Sequence, residues 1–214
     1  MKPRGIAPGC AETANCRCRE EAQVELVSVA DDQQPCVRRV QRRAHRPDRY
    51  YVTGQPSTPA YAAIAGAGIK SVICVRQPGE PAVPLPVPPV TPFDTAEAAE
   101  LARLGVSYQN IPITRTMTQQ QFDSAATQAA LAMLSSGPVP ALVHCSTGDR
   151  ASSVFAVVLI LAARFSNSDA ADYAINSLLL ANPNMIELVL GYGAPQAMAD
   201  QVRSAIAAFP GNVP

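Results

Sequence analysis

Cys145 and Arg150 stand five positions apart in the run VPALVHCSTGDRASSV, residues 139–154. A thiol and a guanidinium at that separation can serve one chemistry. The thiolate attacks, and the guanidinium, always charged and forked, holds the anionic group that is attacked. Residues 139–143 are apolar or proline, which suits a short buried strand, and Ala151 to Phe165 has the apolar period of a helix. A strand, tight loop and helix in that order point several backbone N–H groups at one spot, and the helix N-terminus adds partial positive charge there. Ser146, Thr147, Gly148 and Asp149 are therefore the expected anion cradle, with Gly148 free to take a positive φ. His144 has two readings, a hydrogen-bonding partner behind the loop or a satisfied core imidazole. Ser152 or Ser153 can reach the sulfur.

The same residues carry a resemblance. The His144-Cys145…Arg150 loop resembles the active-site loop of dual-specificity-type cysteine phosphatases, and this implies Cys145, Arg150, His144 and Ser152 as catalytic residues. That family places five residues between Cys and Arg; here there are four, Ser146 to Asp149, a spacing that resembles rhodanese-type sulfurtransferases. From Tyr51 to about Pro183 the chain resembles the bacterial phosphatase-like domain found alone or fused to beta-lactamase-like hydrolases. The marks are Gly54-Gln55-Pro56-Ser57, Gly68-Ile69-Lys70-Ser71-Val72-Ile73, Arg76 with Gly79-Glu80, and Ile111-Pro112-Ile113. The resemblance implies a cysteine-dependent phosphatase-type hydrolase acting on a small anionic or phosphorylated substrate, without cofactor or metal. The alternatives are persulfide chemistry at Cys145 and a non-catalytic phosphate- or phosphoprotein-binding module.

A phosphatase also needs a proton for the leaving alkoxide. The family resemblance places an Asp after the strand that precedes the long helix, but Thr114, Arg115 and Thr116 stand there. Arg115 can bind an anion; a guanidinium does not usefully donate a proton. Asp94, Asp123 and Asp149 remain as candidates. Asp94 reads as a helix cap, Asp123 as a helix-surface residue, and Asp149 as a loop residue whose carboxylate must point away from a bound dianion. A phosphatase of this composition should be weak on alkyl phosphates.

The elements that must position these groups alternate. Strands are expected at Tyr50–Thr53, Ile69–Val75, Val106–Ile113 and just before Cys145. Helices are expected at about Ala60–Ala65, Ala96–Leu104, Gln119–Leu134 (with a Thr118…Gln121 capping box), Ala151–Phe165, Asp169–Ala181 and Pro195–Phe209. This alternation gives an α/β fold, protein-tyrosine-phosphatase-like by resemblance, with a central, mostly parallel sheet of about four or five strands flanked by helices. Residues 77–92 hold seven of the twenty prolines and read as an extended surface loop.

The remaining sequence sets bounds. At 214 residues, 48% hydrophobic and 16% charged, the chain has the composition of one globular domain with a tail. Net charge is zero, so no nucleic-acid partner is expected for the domain, and no apolar run reads as a membrane span. Residues 1–47 read as a disordered, basic, Cys-containing segment, and residues 48–214 as the catalytic domain. Gln23–Ala30 alternates like a lone strand, and Arg38–Arg46 reads as a solvated linker. Cys10, Cys16, Cys18 and Cys36 match no strong zinc spacing. With no signal-peptide pattern, the expected setting is cytoplasmic and reducing. The alternative is an organellar leader, against which the acidic residues 20, 21, 25, 31 and 32 argue.

Overall fold

The computed structural model describes residues 24–27, 37–40, 50–80, 93–136 and 140–208. Among these residues six strands form one sheet: β1 (Val24–Val27), β2 (Val37–Val40), β3 (Tyr50–Thr53), β4 (Ser71–Cys74), β5 (Ser107–Asn110) and β6 (Ala141–His144), in spatial order β1-β2-β3-β6-β4-β5. The four strands β3, β6, β4 and β5 are parallel, and β1 and β2 extend one edge as an antiparallel pair. The expected mostly parallel α/β sheet is thus present. The 23–30 segment is not a lone strand, because Val24–Val27 pairs with Val37–Val40, at the start of the basic run. The rest of residues 1–47 lies outside the described residues, as does the proline-rich stretch from residue 81.

Among the described residues, seven α-helices flank the sheet: α1 (Thr58–Gly66), α2 (Phe93–Arg103), α3 (Gln119–Leu134), α4 (Asp149–Ala163), α5 (Asn167–Ser177), α6 (Pro183–Leu190) and α7 (Ala199–Ala208), with a 3₁₀ turn at Gln196–Met198. Helix α3 has the bounds the sequence predicts, and its capping box is formed: Thr118 accepts from Gln121 N while Gln121 Oε1 accepts from Thr118 N. Helix α4 starts two residues earlier than expected, because Gly148 turns the chain at φ 104°, and it ends at Arg164, which adopts φ 59°. Helix α6 is missed by the sequence reading. Its signals were present: Asn182 caps Met185 N, Pro183 opens the first turn, and Met185, Leu188 and Val189 give an i, i+3, i+4 apolar face.

Side chains alternate across the sheet. Tyr50, Val52, Ile73, Val75, Val143 and Cys145 enter a large core with residues of α3, α4, α5 and α6. Val72 and Leu142 enter a smaller core with Tyr61, Ile64 and Leu101 of α1 and α2. The phase of β6 thus sends Cys145 and His144, neighbours in sequence, to opposite faces.

Candidate active site

The site begins where β6 ends. Cys145 is fully buried, and its Sγ accepts a hydrogen bond from Gly148 N at 3.1 Å. The loop Ser146–Gly148 is therefore wrapped around the sulfur. Gly148 is constrained twice: its φ of 104° disfavours a side chain, and an added Cβ would lie 2.4 Å from Leu179 Cδ1. From outside, Gln55 N donates to Ser146 O at 3.0 Å, and Gly54 packs so close that a Cβ there would meet Ser146 O at 3.0 Å. Gly54-Gln55 is thus a brace against the loop.

Arg150, in the first turn of α4, reaches back across the loop. Its Nη1 donates to Glu80 Oε1 at 2.5 Å and to Ile113 O at 3.0 Å, and its Nη2 donates to Glu80 Oε2 at 2.8 Å. Glu80 takes the end-on edge of the guanidinium. The side-on edge remains, made of Nε–H and the second Nη2–H; Nε is buried without a hydrogen-bond partner. A guanidinium fixed at one edge and open at the other is a preorganised fork for a tetrahedral oxyanion. The partners are positioned by short-range chemistry. Gln77-Pro78-Gly79-Glu80 is a turn closed by Glu80 N to Gln77 O at 3.2 Å, with Gly79 at φ 78°. The run 111–113 fixes the Ile113 carbonyl through Ile113 N to Val75 O. Burial alone would push the Glu80 carboxyl up, but hydrogen bonds from Arg150 and Gln77 N hold it at about 2. At neutral pH Glu80 is a fixed anion and not a proton donor.

The other expected residues fall into place around this centre. The Asp149 carboxylate points away from the anion position: Oδ1 accepts from Ala181 N at 2.8 Å and Asn182 N at 3.1 Å, and Oδ2 accepts from Arg115 Nη2 at 2.9 Å. Arg115 Nη2 also donates to Thr147 Oγ1 at 3.3 Å, so it braces the loop rim while lying 44% exposed. The Ser152 hydroxyl accepts from Leu179 N at 3.0 Å, and Ser153 donates to Arg150 O at 2.8 Å. The Ser152 bond ties α4 to the segment after α5, and the Ser153 bond stays within α4. Asp123, on α3, accepts from Gln119 at 2.7 Å. The side chain of Asp94 lies outside the described residues; helix α2 already begins at Phe93, so Asp94 is inside the helix.

His144 lies on the back face. Its Nε2 is 2.9 Å from Glu97 Oε1, out of line for a good N–H hydrogen bond, and its Nδ1 has no partner. Burial works against a charged imidazole, but the Glu97 carboxylate outweighs it and raises the His144 pKa. Cys74, Glu97 and His144 bring a thiol, a carboxylate and an imidazole within 4.8 Å of one another, all buried. That donor set suits zinc, but the carboxylate and imidazole are already in direct contact, as in a buried ion pair. The sequence marks Gln55, Arg76 and Glu80 only through the family resemblance, and it gives neither them nor Glu97 a place in the site. Arg76 is wholly buried; its Nη1 donates to Gln55 Oε1 at 2.7 Å and its Nε to Glu80 Oε2 at 3.3 Å. Beyond the resemblance, the signal was Arg76 and Glu80 spaced four apart around a Pro-Gly turn.

No protein-family profile matches the chain. Over 123 residues it is 31% identical to the beta-lactamase hydrolase-like protein of Xylella fastidiosa, which covers 57% of this chain and 26% of that protein. The chain thus spans about a quarter of the length of the curated relatives it matches. Among solved structures it is similar to the core catalytic domain of the PP-IP phosphatase SIW14 from S. cerevisiae, at TM-score 0.53 and 15% identity over 80% of this chain and 93% of the other. It is also similar to P. aeruginosa TpbA, at TM-score 0.52 and 16% identity over 89% and 99% of the two chains. A variant of TpbA has been solved with phosphotyrosine bound. At these identities the likeness is one of fold, and the fold is that of the tyrosine and dual-specificity phosphatases.

Proposed function

We propose that the chain is a cysteine-dependent phosphatase-type hydrolase that favours substrates with good leaving groups. Cys145 Sγ attacks phosphorus, the P–O bond to the leaving group breaks, and water then hydrolyses the thiophosphate to phosphate and free thiol. The open edge of Arg150 and the N–H groups of residues 146–148 stabilise the equatorial oxygens as charge gathers there. The observation that carries this reading is the Arg150 guanidinium, clamped end-on by Glu80 and Ile113 O, with Nε buried and unpartnered beside the Cys145 loop.

The preference for good leaving groups comes from the carboxylates. Glu80 is held ionised by Arg150, and Asp149 is consumed by backbone N–H groups and Arg115. Residues 81–92 contain no Asp or Glu. Among the described residues, no carboxyl group at the loop is poised to protonate a departing alkoxide. The substrate is a phosphorylated molecule, in line with the phosphotyrosine bound by TpbA and the function in the name of SIW14. Among the described residues no helix is long and apolar enough to cross a membrane, and an intracellular, reducing setting that keeps Cys145 a thiol suits the chemistry.

The test compares phosphate release from an aryl phosphate and from a phosphoserine peptide. General acid help is worth about 10²–10⁴-fold, so a gap of that size in favour of the aryl ester is expected. Equal rates would mean that a proton donor operates. No phosphate release, with thiocyanate formed from thiosulfate and cyanide, would establish the sulfurtransferase reading of the short loop instead. Neither activity, with phosphate still bound, would leave a binding module.

A further inference from the structure

Gln55 sits where three structures meet. Its backbone N–H holds Ser146 O of the anion loop at 3.0 Å. Its side-chain Oε1 accepts from Arg76 Nη1 at 2.7 Å, and Arg76 in turn donates to Glu80, the residue that clamps Arg150. Its Nε2 donates to Tyr61 OH at 3.1 Å and to Glu97 Oε1 at 3.4 Å, the oxygen that touches His144. One amide therefore links the polar cluster behind the sheet to the guanidinium in front of it. The link crosses through buried groups: Arg76 and His144 are 0% exposed and Glu97 is 1% exposed. A buried arginine with Nε on the Glu80 carboxylate, Nη2 on the Glu80 backbone carbonyl and Nη1 on an amide oxygen has little freedom to turn, and neither does the carboxylate.

We infer that Gln55 is a positioning residue for the anion-binding edge of Arg150, acting through Arg76 and Glu80, and at the same time pins the Ser146 carbonyl away from the anion. This rests on the reading of the Cys145 loop as a phosphate-handling site. Gln55 touches no substrate in this scheme. It fixes the acceptor that fixes the guanidinium, as a second layer of hydrogen bonds fixes a functional group elsewhere.

The experiment measures affinity for inorganic phosphate by calorimetry in the full chain carrying Cys145→Ser, with further substitutions on that background. Gln55→Met keeps the length and the backbone N–H but removes the side-chain hydrogen bonds to Arg76, Tyr61 and Glu97. Gln55→Glu keeps an acceptor for Arg76. Loss of a supporting hydrogen-bond partner typically costs 10–100-fold, so the Met variant is expected to bind phosphate at least about tenfold more weakly, and the Glu variant to recover most of that loss. Arg150→Ala is the control. If Arg150→Ala destroys binding while Gln55→Met leaves it unchanged, the inference fails and the site reading stands. If the Met and Glu variants are equally weak, the acceptor offered to Arg76 is not what positions Arg150 and the inference fails. If Arg150→Ala binds phosphate as tightly as its parent, the site reading itself fails. Should Gln55→Met not fold, Arg76→Lys probes the same contact from the other side: a loss of similar size is expected, and unchanged affinity would overturn the inference.

Discussion

Two arginine–carboxylate pairs flank the Cys145 loop, and they are built differently. Arg150–Glu80 is bidentate, with Arg150 8% and Glu80 25% exposed, and both partners are held by further bonds from Arg76, Gln77 N and Ile113 O. Arg115–Asp149 is a single contact, with Arg115 44% exposed. In the second pair the order lies with the carboxylate, whose other oxygen is tied to Ala181 N and Asn182 N. The difference shows which charge is preorganised for work. Arg150 cannot relax without disturbing a buried network. Arg115 sits in high dielectric, where an ion pair contributes about 0–1 kcal/mol.

The largest effects should come from the buried side. Cys145→Ser removes the nucleophile and should abolish turnover of an aryl phosphate in a steady-state assay. Arg150→Lys keeps the charge but loses the fork, and kcat/KM should fall by about 10²–10³-fold. Glu80→Gln comes next. Removing one partner of a fully buried pair costs about 3–5 kcal/mol; with Glu80 partly exposed and the amide still an acceptor, about 1–2 kcal/mol of unfolding stability should be lost, read by urea titration, together with activity.

The same pair predicts a pH signature. The Glu80 carboxyl is held at about 2 in the fold against an ordinary 4.5. A carboxyl lowered on folding stabilises above its unfolded pKa, and that stabilisation is lost as pH falls from 4.5 towards 2. Unfolding free energies measured across that window should drop more steeply in the parent than in Glu80→Gln. Parallel curves would mean that Glu80 is not held ionised by Arg150. The smallest effect belongs to the exposed pair: Arg115→Ala should change aryl-phosphate kcat/KM by no more than about fivefold, about 1 kcal/mol. A loss as large as that of Arg150→Lys would show that Arg115 contacts the substrate directly and that the contrast between the pairs is wrong.

What the sequence made legible follows from how far apart the partners stand. The Cys145–Arg150 loop and the capping box of α3 are local and could be read directly. The parallel strands could be read from apolar runs between helix signals. Glu80 could not be assigned its role, because its partner lies 70 residues away. The Gln55–Glu97 contact spans 42 residues and carries no local spacing. Val37–Val40 was hidden because a basic run suggests solvation, whereas backbone pairing to Val24–Val27 and to Tyr50–Val52 makes it a strand. The fate of Asp149 was half legible: charge repulsion required it to turn away, but its donors Ala181 N and Asn182 N precede a helix that the reading had not found.

The alternation of β6 has a consequence for how this gene can change. Cys145 and His144 face opposite sides of the sheet by odd and even position alone. Deleting or inserting a single codon between Ala141 and His144 would exchange the two faces, sending the thiol into the Glu97 pocket and the imidazole into the anion loop. Paired strand neighbours on both sides forbid the strand to slide and repair the error. Length variation in this segment is therefore constrained by parity. A library that samples insertions and deletions along the chain should recover functional single-codon changes in the surface turns and none in the strand that leads to Cys145.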